Sequence, residues 1–471
     1  MKRKSAHEHV RVRFAPSPTG FMHIGNARTG IFNWLLASHH DGAFLVRIED
    51  TDKERSAKEY ADSIVETLSW LGLKSDEPLV YQSTLVERHK AYIEKLLAEG
   101  KAYKCYCSQE ELEQRLGGAE YGLLYDEKCR ICTVPSGDKP YVVRFKLPDD
   151  SGDITFHDLI LGNITVPRDQ LDDFIIARSD GTPVYNLVVV VDDATMNISH
   201  VIRGQDHITN TVKQILLYQA LNLPLPLFAH IPLILGSSGQ RLSKRDAATA
   251  IWDYRAKGYL PEALLNYLAR LGWSHGDQEI FTIDELIRSF TLDGVGKSNA
   301  VFDSEKLNWV NGEHIKMRDA SSLLTYILEN IDPLFVKELS SWSEEQILGA
   351  LDLYKARVST LVELCEEIKK LYKKPECNKD FQQYFASESK ELLKNLITIL
   401  SSLDRWDRDT LSSNIKGFAK ERNIKFPDIA QPIRIALTGS TKSPGVFALL
   451  FLLGKKESLN RIEALIDFCN R

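Results

Sequence analysis

The stretch RFAPSPTGFMHIGNARTG, Arg13 to Gly30, packs two prolines, three glycines, a histidine and two arginines around one apolar entry. A strand that turns tightly into a helix presents unpaired backbone N–H groups at the helix start, and those groups with the helix dipole favour phosphate. Gly25 would let a nucleotide approach the backbone closely, and His23 can donate to a phosphate oxygen as charge develops. His-X-Gly taken alone also fits a turn with a capping histidine. A second element, GQRLSKR (Gly239 to Arg245), sets Lys244 and Arg245 after Ser243 in a basic loop. Such a loop can close over a triphosphate and neutralise charge in the transition state; alone it also fits a solvated charge run. Third, Cys105-X-Cys107 and Cys129-X-X-Cys132 offer four sulfur ligands in two close pairs. Tetrahedral zinc takes four N or S ligands, and a reducing compartment favours a metal over disulfides. Free buried thiols are the alternative.

These residues need elements to hold them. VRVRFA (Val10 to Ala15) reads as a short strand. The helix that follows sets Ala27, Ile31, Trp34 and Leu35 on one face, and GAFLVRIED (Gly42 to Asp50) reads as the next strand. Ser83 to Gly100 reads as a helix with Ser83 as its cap and Gly100 at its end. This strand-helix-strand order implies a parallel sheet covered by helices. Cys105 to about Ile176 looks like an insertion with short β-like runs such as YVVRFKL and GNITVPR. The parallel pattern resumes at Pro183. There Val188 to Val191 is a continuous apolar run, expected of a strand buried on both faces. From about Trp252 helical periodicity dominates, with a boundary between two helical blocks around Ala320 to Ser340. Asp404 to Lys425 fits a helix capped by Asp407 or Asp409. In EEIKKLYKKPE (Glu366 to Glu376), Lys369, Lys370, Lys373 and Lys374 could track phosphates and Tyr372 could stack on a base, although such a run is also an ordinary solvated face.

The chain has 471 residues, enough for roughly two to four domains. Hydrophobic residues make up 43% and charged residues 26%, an ordinary globular mixture. The formal net charge of −6 means that any nucleic-acid binding must use local basic surface. Seven cysteines, an odd and clustered set, argue against a secreted disulfide framework. No apolar run reaches about 18 residues and the basic start lacks an apolar signal core, so the expected location is cytoplasmic, without a membrane partner.

PSPTGFMHIGN resembles the His-Ile-Gly-His signature of class I aminoacyl-tRNA synthetases in its glutamyl form, and RLSKR resembles the Lys-Met-Ser-Lys-Ser loop of the same enzymes. FLVRIEDTD, VYNLVVVVDD, HVIRGQDH, LPEALLNYLARLGWS and QPIRIALTGSTKSPG are similar to further blocks of bacterial glutamyl enzymes. Asn26 replaces the last histidine of the first signature and Arg241 the first lysine of the second, both familiar in the glutamyl branch.

The resemblance implies an α/β fold. A Rossmann-like parallel-sheet catalytic domain in two halves, 1–104 and 181–251, would carry an α+β acceptor-end insertion at 105–180. A helical stem-contact domain at 252–325 and an all-helical anticodon-binding domain at 326–471 would follow. It implies ATP-dependent activation of L-glutamate, with Mg²⁺ on the phosphates, and transfer to tRNA(Glu), leaving tRNA(Gln) open as a second acceptor and a monomer as the expected state. His23, Lys244 and Ser243 are the expected catalytic residues. Pro16, Gly20, Gly25, Asn26, Arg241, Leu242 and Arg245 join His23 and Lys244 around ATP. Arg13 is expected to meet the side-chain carboxylate of glutamate and Glu49 its ammonium, with Ala15, Ser17, Tyr185 and Arg203 completing that side. Asp52 and Arg357 are expected at the tRNA, Arg357 sensing the third anticodon base. Zinc would take Cys105, Cys107 and Cys129, with Tyr125 or Cys132 as the fourth ligand. Three rivals carry less. A truncated relative acting on tRNA(Asp) lacks the helical half. A small-molecule nucleotidyltransferase has no use for Arg13, Glu49 and Arg203 together. A silent RNA-binding relative has no chemical reason to keep His23, Lys244 and Arg13.

Overall fold

A computed structural model of the chain describes residues 9–51, 57–116, 124–131, 139–149, 152–240, 250–375 and 387–468. Two compact units emerge, one of residues 1–252 with 264–304, the other of 253–263 with 305–471.

In the first unit, strand β1 (Arg11–Phe14) leads through helix α1 (Ile24–His39) to β2 (Ala43–Ile48), and through α2 (Lys58–Trp70) to the short β3 (Val80–Tyr81). The three strands form a parallel sheet in which Arg13 lies beside Leu45 and Arg47 beside Val80. The return from α1 is tight. A Cβ on Gly42 would stand 2.2 Å from the Val10 carbonyl oxygen, so only glycine fits where the chain re-enters the sheet. All six residues of β2 are buried, as a central parallel strand requires, yet one of them is Arg47.

Helix α3 (Val86–Ala98) follows a 3₁₀ turn at Gln82–Leu85. Ser83 does not cap it: its hydroxyl and backbone N–H both donate to the Asp50 carboxylate, at 2.6 and 2.8 Å. The insertion then supplies β4 (Ala102–Cys105), α4 (Gln109–Leu116), β5 (Val142–Phe145), β6 (Ile154–Asp158), β7 (Gly162–Val166) and β8 (Ile175–Ala177). Strands β4, β5 and β8 make an antiparallel sheet, and β6 and β7 a hairpin.

The run expected as a doubly buried strand is a helix. Residues Tyr185–Thr195 form α5, with Val188 to Val191 all buried. Four valines disfavour a helix by only about 2–3 kcal/mol in total, well below the roughly 6–12 kcal/mol that burying all four contributes. The helix does what a strand cannot. Adjacent residues on a strand point to opposite faces, whereas Asp192 and Asp193 on α5 both turn inward onto the same arginine.

Strand β9 (His200–Gly204), α6 (Ile208–Leu221) and β10 (Leu227–Ile231) complete the layer, β9 and β10 being parallel with Arg203 beside His230. The start of β9 abuts β1: Ser199 N donates to Arg11 O at 2.9 Å, and Arg11 N to Ser199 Oγ at 2.8 Å. The chain winds outward from β1 in one direction and from β9 in the other, so strand order reverses between them. The crevice beyond the carboxyl ends of strands at such a reversal is where α/β proteins bind ligands.

The second unit is helical in every described element from Glu305 onward. Asp407 is the cap of Arg408–Glu421, its carboxylate accepting from Thr410 N. The terminal helix Val446–Phe468 kinks at Gly454, whose φ of 77° suits glycine. Among the described residues no helix is long and apolar enough to cross a membrane.

Candidate active site

At the junction of β1 and β9 lies a cavity of about 350 Å³. Arg13, Ala15, Ser17, Glu49, Tyr185 and Arg203 all line it, as do Pro16, His23, Gly25 and Asn26. Gly20 is not among its lining residues. The loop after β1 is pinned from β2, since Glu49 N donates to Pro16 O at 3.0 Å. His23 caps α1: its Nδ1 accepts from Gly25 N at 3.1 Å. Burial lowers the His23 pKa, so the neutral ring carries its proton on Nε2, free to donate into the cavity. A Cβ on Gly25 would fall 3.1 Å from that ring, which gives the glycine a role within the protein itself. Ala250 pairs with His23 in an antiparallel bridge and Ile251 N donates to Met22 O at 2.9 Å, fixing the chain just past the basic loop beside the first signature.

The charges are arranged by a buried network in which Arg47, Asp192 and Asp193 join the expected Arg13 and Glu49. Arg13 is 4% exposed, and its Nε donates to both oxygens of Asp193 at 3.1 and 3.2 Å. Arg47 donates through Nη1 to the same carboxylate at 2.6 Å and through Nη2 to Glu49 at 3.3 Å. Asp192 accepts from Gln82 at 2.9 Å and pairs with His89 at 2.7 Å. Burial pushes the Asp193 carboxyl up, but Arg13 and Arg47 outweigh it and hold it below the usual range. Burial raises Glu49, against the pull of Arg47 and Arg13. Arg203 has its pKa lowered by burial, with Arg13 adding to the effect. Its Nη2 is anchored on Thr211 and Gln214 at 2.6 and 2.8 Å, while its buried Nη1 has no partner among the described residues. Tyr185 OH lies 3.2 Å from His207 Nδ1, and burial together with Arg203 brings His207 down to about 4. Two guanidiniums, a carboxylate and a neutral imidazole donor therefore face one space. That set suits a ligand with an ammonium, a carboxylate and a phosphate.

The sequence matches the model of tRNA synthetases class I (E and Q), catalytic domain, over residues 9–309, and that of an anticodon binding domain over 326–466. The chain belongs to the class I tRNA synthetases of the E and Q type. It is 45% identical over 465 residues to the glutamate--tRNA ligase of Thermodesulfovibrio yellowstonii, covering 97% of this chain and 99% of that one. The ligase of the same name from Pelobacter propionicus is also 45% identical, over 98% of this chain and 99% of its own. The structure resembles the crystal structure of a glutamate tRNA ligase from Elizabethkingia meningosepticum in complex with its amino acid. That likeness has a TM-score of 0.86 at 32% identity, covering 97% of this chain and 99% of that one. Glutamate-tRNA synthetase from Elizabethkingia anophelis gives a TM-score of 0.84, also at 32% identity, over 98% and 100% of the two chains.

Other expected residues of the synthetase fall in several places. Arg241, Leu242, Ser243, Lys244 and Arg245 lie outside the described residues, as do Asp52 and Cys132. Arg357 is exposed at the end of a 3₁₀ turn in the second unit. The lysine run nearby is partly spoken for: Lys369 bridges Asp332 and Glu338 at 2.5 and 2.6 Å, and Lys370 pairs with Glu367 at 2.8 Å. Tyr372 bonds Ser341 and packs against Trp342, so its ring is engaged within the protein.

Cys105, Cys107 and Cys129 come together, their sulfurs all within 4.8 Å of one another. Tyr125 OH lies 3.4 Å from Cys105 Sγ and 4.0 Å from Cys107 Sγ, and Cys129 N donates to it at 2.9 Å. Three thiols converging around a phenol oxygen make a donor set that fits zinc.

The arginine–aspartate network had a signal in the sequence. Arg47 interrupts the apolar run of β2, and Asp192-Asp193 directly follows Val188 to Val191. A charge inside an otherwise buried run needs a buried partner.

Proposed function

We propose that the chain is a glutamate–tRNA ligase that activates L-glutamate with ATP, bound with Mg²⁺, and transfers the glutamyl group to tRNA(Glu). The observation that carries this is the pair of buried guanidiniums, Arg13 and Arg203, sharing one cavity with Glu49 and with the His23 donor at the start of α1. The side-chain carboxylate of glutamate meets the arginines, and its ammonium meets Glu49. Neutral glutamine would leave a desolvated guanidinium unpaired, which is costly enough to reject it. The reacting carboxylate attacks the α-phosphorus, so the site needs cations and donors more than a strong base. His23 Nε2–H stabilises the phosphate charge from one side, and Lys244 with Ser243 acts from the basic segment that precedes Ala250 in the chain.

In this reading residues 105–180 receive the acceptor end and 326–471 the anticodon, and Arg357 favours tRNA(Glu) over tRNA(Gln). Cys105, Cys107 and Cys129, with Tyr125 or Cys132 as the fourth ligand, would hold Zn²⁺, which would brace the insertion. The test is aminoacylation with radiolabelled glutamate on purified tRNA(Glu) and tRNA(Gln) separately. Charging of tRNA(Glu) alone is expected. Charging of both would remove the role given to Arg357, and charging of neither would refute the function. Arg13→Ala should lose glutamate affinity far more than ATP affinity; the reverse pattern would overturn the assignment of Arg13.

A further inference from the structure

Behind Arg203 lies a buried chain of polar groups that starts in the insertion. Asp158 ends β6, and its Oδ1 accepts from Ile160 N and Leu161 N at 2.9 and 2.8 Å, which folds the turn of the β6–β7 hairpin. Its Oδ2 meets His230 twice, at the backbone N (3.0 Å) and at Nδ1 (2.6 Å). His230 Nε2 lies 2.8 Å from Thr211 Oγ1 and 3.4 Å from Arg203 Nε. Thr211 Oγ1 in turn accepts from Arg203 Nη2 at 2.6 Å. Asp158, His230 and Thr211 are at most 1% exposed.

The direction of the hydrogen bonds follows from the partners. An ionised Asp158 only accepts, so His230 Nδ1 carries the proton toward it. Burial keeps His230 neutral against the pull of that carboxylate, so Nε2 is a lone pair. It can then accept from Arg203 Nε and from the Thr211 hydroxyl, whose one proton has the His207 backbone carbonyl at 3.0 Å as its other acceptor. The tautomer set by Asp158 therefore decides whether Arg203 meets an acceptor or a second donor. With Nε and Nη2 held on this side, Nη1 is the nitrogen of Arg203 left without a partner among the described residues, and Arg203 is one of the residues lining the cavity.

We propose that Asp158 and His230, acting through Thr211, are positioning residues that fix the Arg203 guanidinium with Nη1 presented to the amino acid. This rests on the reading of the cavity as a glutamate site. It gives β6, a strand of the insertion, a direct mechanical hold on the amino-acid site, because Asp158 lies beside Phe228 on β10 and Arg203 lies beside His230.

The test is the KM for glutamate and for ATP in aminoacylation, with tRNA present. Thr211→Val keeps the shape and removes the hydroxyl, and a lost hydrogen bond to a charged group should raise the glutamate KM about 10- to 100-fold. The ATP KM should stay within about twofold. Asp158→Asn, which weakens the control of the tautomer, should move the glutamate KM the same way, while Thr211→Ser should return it to within about threefold of the parent. If the parent charges glutamate but Thr211→Val leaves the glutamate KM within twofold, the relay is refuted and the functional reading stands. If the glutamate and ATP values rise together, the groups only support the fold and the proposal is equally refuted. A parent that charges no glutamate would remove the functional reading itself. If Asp158→Asn does not fold, the Val and Ser pair at Thr211 decides alone.

Discussion

Asp193→Asn is the substitution that asks most of the buried network. Asp193 is 1% exposed and is the shared counter-ion of Arg13 and Arg47, with contacts of 3.1, 3.2 and 2.6 Å. Asparagine keeps the shape but removes the charge, leaving two guanidiniums in one desolvated site with only Glu49 and Asp192 nearby. Breaking a buried pair by removing one partner costs about 3–5 kcal/mol, mainly because a charge is left uncompensated. The loss should appear in denaturant unfolding of the first unit as a lower midpoint. Glutamate KM should rise with it, because Arg13 loses the acceptor that aims it, while ATP KM changes little. The pH dependence carries a sign. The folded-state pKa of Asp193 is depressed, so its contribution is present above the ordinary aspartate value of about 3.9 and is lost as pH falls through the lower folded value. The gap between parent and variant should therefore be full at neutral pH and narrow under acid. A stability loss below about 1 kcal/mol, or a gap that does not change with pH, would refute the reasoning.

Three further outcomes are expected. His23→Ala should slow adenylate formation about 10²- to 10³-fold, as loss of one transition-state donor does, and should also cost about 0.5–2 kcal/mol as a lost helix cap. His23→Asn can still cap and should lose rate with little loss of stability; equal melting of both variants would contradict the capping role. Purified protein should carry about one zinc per chain by elemental analysis, and Cys129→Ser should release it, so a parent with far less than one zinc sinks the metal reading. Gly42→Ala should destabilise the first unit by about 1–3 kcal/mol, since its Cβ would stand 2.2 Å from Val10 O, and a neutral result in thermal unfolding would mean that the β1–β2 return can shift.

Much of this protein is written locally. Turn chemistry and apolar period mark β1, α1 and β2, and the spacing of Cys105, Cys107 and Cys129 marks the sulfur cluster, because each depends on neighbours a few residues away. Of the residues that converge on the cavity, His23 before Gly25 is legible from its own chemistry, a donor for a phosphate, whereas Arg13, Glu49, Tyr185 and Arg203 are expected there only through the resemblance to the glutamyl enzymes. Other features were decided by contacts far apart in sequence. Val188 to Val191 have the composition of a strand, yet they form a helix, since the place beside β1 belongs to β9 and the packing needs Asp192 and Asp193 turned to one side. Ser83 looks like a cap, yet Asp50 takes its hydroxyl, 33 residues away. The alliance of Arg13 with Asp193 spans 180 residues, and the hold of Asp158 on His230 spans 72. A charge buried in an apolar strand announces that it needs a partner; only the folded chain determines which one answers, because desolvation penalises every arrangement except the one in which opposite charges and hydrogen-bond partners meet.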